Sequence, residues 1–186
     1  MVYFIMCNIV KSFFNSLVFF LIIISLPLYA VCITDQDVEV GFSPGGTAQK
    51  IVLSAITGAT KSIDIAAYSF TSKPIALALI EAKNRGVNIR LVADRKSNSS
   101  KYTAVTYLIN KNVSVRLNEK YAIMHNKFMI IDGISVETGS FNYTQNAVSH
   151  NAENVICWHN RPDIANKYSK EFNRLWLESI SIKPIY

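Results

Sequence analysis

Cysteine is scarce in this chain: three residues among 186, at positions 7, 32 and 157. Their spacing matches no metal-ligand pattern. Cys7 and Cys32 fall in an apolar N-terminal stretch, so no structural disulfide is expected. Cys157 sits in an apolar run and reads as a buried thiol. Acid is missing altogether from residues 1–32, where Lys11 is the one base and Phe, Ile, Leu and Val dominate. The densest apolar run, Leu17 to Leu28, is about a dozen residues, short for a spanning helix and suited to the apolar core of a secretory signal. Pro27 breaks it, and Ala30 closes a candidate cleavage point. Residues 1–32 are therefore expected to be a signal peptide, which places the product in a secreted or periplasmic setting. A run taken from Val2 or Phe13 would be long enough to span, so a membrane anchor is the alternative. Residues 33–186 are then one domain, with no internal repeat. No Asp/Glu/His cluster suited to catalytic magnesium or zinc accompanies the one histidine motif, so neither metal nor cofactor is expected.

What is present is positive charge and regular punctuation. Nineteen Lys and Arg face thirteen Asp and Glu, a net +6. That favours a polyanionic partner, nucleic acid or an anionic lipid surface. Val38 to Ser43 reads as a strand, and Thr47 as the cap of a helix through Ala59. Ser62 to Phe70 is a strand, and Ser72 with Pro74 opens a helix that Gly86 stops. Asn88 to Ala93, a helix from Tyr102 to Lys111, and strands at Val113 to Leu117 and Glu153 to Trp158 follow. Pro162 opens the last helix, whose Ile164, Tyr168, Phe172, Leu175 and Trp176 form one packing face. Strands and helices alternating in this way define an α/β fold. The polar loop Asp94 to Lys101 follows a strand at the end where open α/β sheets place ligands. Its Arg95, Lys96 and Lys101 are candidate contacts to backbone phosphates.

The informative stretch is His125 to Asn142, HNKFMIIDGISVETGSFN. KFMII suits a buried strand, Asp132-Gly133 a type I′ turn, and ISVET the returning strand. His125 and Lys127 are two apart and share a face. Ser140 and Asn142 follow the returning strand and arrive near the start of that face. A His-x-Lys alone, or an Asp-Gly turn alone, says little. Six residue types fixed over eighteen positions are specific.

The grouping suits a phosphate ester. Lys127 supplies fixed positive charge, and Asn142 and Ser140 supply hydrogen bonds to phosphoryl oxygens. His125 supplies a nucleophile that splits one displacement into two. Asp132, in the turn, is expected to hold that turn through backbone bonds. Glu153, at the start of the next strand, is the better carboxylate for fixing the His125 tautomer. A second histidine is needed to protonate the leaving group, and neither His150 nor His159 continues as a second motif. The expected solution is a homodimer that brings two copies of His125 to one composite site.

These residues resemble the HKD motif of the phospholipase D superfamily at His125, Lys127, Asp132, Gly139, Ser140 and Asn142. The segments VGFSPGGTAQKIVLSAI, SIDIAAYSFTS, EAKNRGVNIRLVAD and HNAENVICWHN resemble its small single-motif bacterial endonucleases, the Nuc type. The likeness runs from about Val38 to Trp176. It implies a mixed, largely parallel β-sheet flanked by helices on both faces, a homodimer, and a glutamate at the position of Glu153 that supports the histidine. It also implies metal-independent hydrolysis of phosphodiesters through a phosphohistidine. DNA or RNA is the first substrate class, phosphatidylcholine-type lipid the alternative, and an inactive binding module of the same fold the third reading.

Overall fold

The computed structural model describes residues 37–100 and 103–184. The expectations for residues 1–32 and for Lys101 lie outside them. Among the described residues no helix is long and apolar enough to cross a membrane.

Eight strands form one sheet: β1 (Val38–Ser43), β2 (Ser62–Ala67), β3 (Asn88–Asp94), β4 (Ser114–Asn118), β5 (Lys127–Ile131), β6 (Ser135–Gly139), β7 (Glu153–Trp158) and β8 (Ile180–Ser181). Their spatial order is β1-β7-β6-β5-β2-β3-β4-β8. Helices α1 (Thr47–Gly58), α2 (Lys73–Asn84), α3 (Ala104–Asn110) and α4 (Gln145–Ser149) cover one face, and α5 (Pro162–Leu177) covers the other. The α/β class, the mixed sheet and helices on both faces agree with the sequence.

The share of parallel pairing does not. β2–β3 and β3–β4 are parallel, whereas every other pair is antiparallel. The cause is the antiparallel run β5–β6–β7, in which a tight turn joins β5 to β6 and a longer connection carrying α4 returns the chain to β7. It inserts between β2 and β1 and moves the first strand to the sheet edge.

Local signals act as their chemistry dictates in most places. Ser72 Oγ accepts from Ile75 N at 3.5 Å with Pro74 in the first turn, and Gly86 takes φ 96° after α2. Thr47 is a correction: Gly46, at φ 83°, is the cap of α1. Thr47 Oγ1 instead donates to Phe42 O at 2.9 Å and accepts from Phe42 N at 2.8 Å, stitching the helix to β1. α3 starts at Ala104 because Thr103 Oγ1 accepts from Thr106 N. The apolar stripe of α5 packs on Phe128, Ile130 and Val136 as expected. Phe172 and Trp176 also roof Arg90, whose guanidinium pairs with Asp64 at 2.7 Å. Cys157 is buried and its thiol is pushed up to about 12 by burial, so it is inert.

Candidate active site

β5 is central in the sheet, and all five of its residues are buried. It opens on Lys127, a charged side chain only 8% exposed. Lys127 Nζ donates to His125 O at 2.7 Å and lies 5.3 Å from the Tyr68 ring centroid. Burial lowers its pKa, and the nearby Glu153 charge offsets part of that effect. A buried ammonium with donors left over favours an anionic ligand.

His125 precedes β5, outside any regular element, and is exposed. Its ring centroid sits 4.5 Å from that of Tyr68, tilted by 59°. The approach to His125 is fixed from behind. Asp94, 2% exposed at the end of β3, accepts from Met124 N at 2.9 Å and from Ser97 N at 2.8 Å. Buried Asn98 donates to Tyr68 O at 2.7 Å and Asp94 O at 2.8 Å, and accepts from Phe70 N at 3.0 Å. Asp94 and Asn98 therefore position both Tyr68 and the histidine segment. Sequence reasoning missed all three. Two of them lie in the polar loop already singled out, where only the bases drew notice.

The other half of the site is built on β6 and β7. A Cβ on Gly139 would lie 2.1 Å from Asn154 O, so only glycine permits this approach of the two strands. Ser140 N then donates to Asn154 O at 3.1 Å, and Asn154 N donates to Ser140 Oγ at 3.1 Å. Ser140 Oγ donates to Glu153 Oε2 at 2.6 Å. Asn142 is half-buried, and its Oδ1 is enclosed without a hydrogen-bond partner.

Two expectations are corrected. Glu153 does not bond His125: its Oε2 takes Ser140 and its Oε1 takes Asn151 Nδ2 at 2.9 Å. Its reach to the site is electrostatic, through Lys127. Asp132 is structural, yet it braces the loop before β2 rather than its own turn. Its carboxylate accepts from Thr60 N, Thr60 Oγ1, Lys61 N and Ser62 N. Partial burial raises its pKa, but these bonds outweigh it and hold the carboxyl below its ordinary value. The type I′ geometry is supplied by positive φ at Asp132 (54°) and Gly133 (72°). Arg95 and Lys96, the candidate phosphate contacts among the described residues, each have a protein partner. Arg95 pairs with Glu119 at 3.1 Å, and Lys96 Nζ donates to Ala122 O at 3.4 Å. This holds the basic loop against the segment that leads to His125. His150 bonds Ser149, and His159 bonds Glu39.

Asp132→Ala is expected to cost about 2 kcal/mol by orphaning these donors, leaving the turnover of folded protein nearly unchanged. Urea denaturation and an assay on the same sample check both halves. The depressed carboxyl stabilises the fold above its ordinary titration range. That stability is lost as pH falls through its lower folded value, and the loss should be absent in the variant.

The fold and this cluster define a class. Residues 52–176 match the family model described as cardiolipin synthase, PLD-like domain. The chain belongs to this family, within the phospholipase D superfamily. Phospholipase D of Rickettsia prowazekii is 37% identical over 121 residues, 65% of this chain and 59% of that protein. Mitochondrial cardiolipin hydrolase of Xenopus laevis is 33% identical over 127 residues, 68% of this chain and 60% of that protein. The chain thus spans about three fifths of these relatives. Among solved structures, Nuc from Salmonella typhimurium, a phospholipase D family member, is similar with TM-score 0.77 and 38% identity, covering 78% of this chain and 97% of that chain. NucT from Helicobacter pylori has TM-score 0.71 and 26% identity, with 78% and 98% coverage.

Proposed function

We propose that the chain is a phosphodiesterase that works through a phosphohistidine on His125 without a metal, and that its first substrate class is nucleic acid. The observation that carries the reading is the pairing of an exposed His125 with the buried Lys127 ammonium beside it. In this reading His125 attacks phosphorus and the leaving alkoxide departs. Lys127 neutralises charge on the non-bridging oxygens and Asn142 donates a hydrogen bond to them, while Ser140, whose hydroxyl is given to Glu153, ties β6 to β7 beside them. Water then hydrolyses the phosphohistidine. The similarity to Nuc over almost the whole of that chain, the net charge of +6 and the basic Arg95–Lys96 loop beside the histidine segment favour nucleic acid. A lipid headgroup ester is the second reading. It is favoured by Ile123, half exposed two residues before His125, and by relatives named phospholipase D and cardiolipin hydrolase. An inactive module would have no use for a buried lysine beside an exposed histidine.

The test is a matched pair of assays in excess EDTA, one on supercoiled plasmid and one on phosphatidylcholine vesicles. Plasmid nicking supports the first reading. Choline release without nicking supports the second. Silence in both contradicts the activity.

The second imidazole is proposed to come from another copy of the chain. Val40 and Phe42 of edge strand β1 are 56% and 60% exposed, on a sheet face that also carries Ile156. Phe42 lies in register with Asn154, which bonds Ser140, so the patch abuts the site. A second copy seated there would bury the patch and bring its own histidine. Phe42→Asp should shift sedimentation from dimer to monomer and lower turnover about 100-fold with the fold retained. An active monomer would contradict the composite site.

A further inference from the structure

Glu137, on β6, is 1% exposed and is not needed by the chemistry above. Its Oε2 accepts from Tyr143 Oη at 2.8 Å, and Tyr143 is itself fully buried. Glu137 lies two residues before Gly139, and Tyr143 one residue after Asn142. Their bond therefore closes the loop that presents Ser140 and Asn142. Tyr143 is pinned from outside as well. Its backbone O accepts from Thr71 N and Ser72 N, both at 2.9 Å, and its ring meets Phe70 edge-on at 5.6 Å.

We propose that Glu137 is a positioning residue of the active site: its buried carboxyl accepts from Tyr143 and so clasps the loop carrying Ser140 and Asn142, and ionisation, which leaves a buried carboxylate with a single donor, disturbs that loop. The role within catalysis rests on the phosphodiesterase reading, whereas the clasp itself does not.

The surroundings explain why the proton stays. Burial pushes the Glu137 carboxyl up to about 8, and the Tyr143 hydrogen bond opposes this only in part. The titratable groups on its row are Tyr143 from the loop, Cys157, its register partner on β7, and beyond it Glu39 of β1, in register with Cys157 and bonded to His159. The register partner of Glu137 on β5 is Met129. Tyr143 is pushed well above its ordinary value by burial and by Glu137, and Cys157 up to about 12 by burial. The buried residues of α1 and α4 over this face, Ala48, Ile51, Val52, Ile56 and Ala147, carry no charge. Near neutral pH the pair is therefore uncharged. Once Glu137 ionises, one hydroxyl is left to satisfy a buried carboxylate.

The sign for stability follows from linkage. An unfolded glutamate ionises at about 4.3. Its folded value is raised, so the native state keeps the proton longer. Stability then falls as pH rises from about 4.3 to about 8 and levels off above. Glu137→Gln removes this dependence. The melting temperature of wild type relative to the variant should fall steadily across that window.

The deciding experiment is a ¹⁵N-resolved NMR titration of wild type and Glu137→Gln from about pH 6 to about pH 10. In wild type, the Ser140 backbone amide and the Asn142 side-chain amide should shift together with a midpoint of about 8. In Glu137→Gln these signals should stay flat over the same range. Turnover of bis(p-nitrophenyl) phosphate supplies the catalytic readout. Wild-type kcat should fall across that midpoint with KM little changed, and the variant should hold its kcat. Tyr143→Phe, which keeps the ring and loses the hydroxyl, should lower kcat about tenfold at neutral pH. Flat signals in wild type, or the same titration in both proteins, would overturn the clasp. A titrating loop with superimposable kcat profiles would overturn its role in turnover. Absence of diester hydrolysis by wild type would fail the phosphodiesterase reading alone, because the NMR titration still decides the clasp.

Discussion

Replacing His125 by alanine is expected to lower kcat by about 10⁴-fold or more while leaving the melting temperature within about 1 °C of wild type. The first part follows from the role: a lost nucleophile removes the covalent route rather than weakening it, and groups acting as one unit fail together. The second follows from the structure. His125 is exposed, its ring lies 4.5 Å from that of Tyr68, and its backbone carbonyl, which serves Lys127, is kept by any residue. Stopped assays on a diester, together with a thermal melt of the same preparation, check the two parts. An unfolded variant would leave the assignment without support, and near-normal turnover would remove it.

Replacing Gly139 by alanine is expected to do both kinds of damage. The added methyl would stand 2.1 Å from Asn154 O and 2.9 Å from Asn154 C, both backbone atoms in a paired strand. No side chain can swing aside to relieve this. β6 and β7 must separate where Ser140 N bonds Asn154 O, and Ser140 and Glu153 move with them. We expect a loss of about 3 kcal/mol, a fall of roughly 10 °C in melting temperature, and turnover reduced about 100-fold in the protein that remains folded. Denaturant titration gives the first figure and single-turnover kinetics the last. Wild-type stability would mean that the two strands separate at little cost.

The motif hairpin was legible because each of its signals is local. KFMII buries on both faces, and Asp132-Gly133 adopts the positive φ pair that the dipeptide favours. The Ser72–Pro74 helix start and the Gly86 stop were legible for the same reason. Strand order was not, because insertion of the β5–β7 meander between β2 and β1 is a choice among long-range pairings that no local pattern encodes. Site residues divide along the same line. His125, Lys127, Ser140 and Asn142 were named from spacing, but the partner of Glu153 is fixed by β6–β7 register, which brings Ser140 rather than His125 to it. Asp94 and Asn98 read as ordinary loop polar residues until the fold sets Met124 and Tyr68 against them. Glu137 looks like a solvent-facing strand residue in the alternation SVETG. It is buried because β6 is covered on both faces.

The covalent intermediate tests the central claim most directly. Wild type and His125→Ala would be mixed with a labelled diester in excess EDTA, quenched in base, digested and mapped by mass spectrometry. A phosphoryl adduct stable to base and labile to acid, on the peptide holding His125 and absent from the variant, is the result expected. Steady turnover in EDTA with no adduct, an adduct on another residue, or turnover that requires an added divalent cation would contradict it.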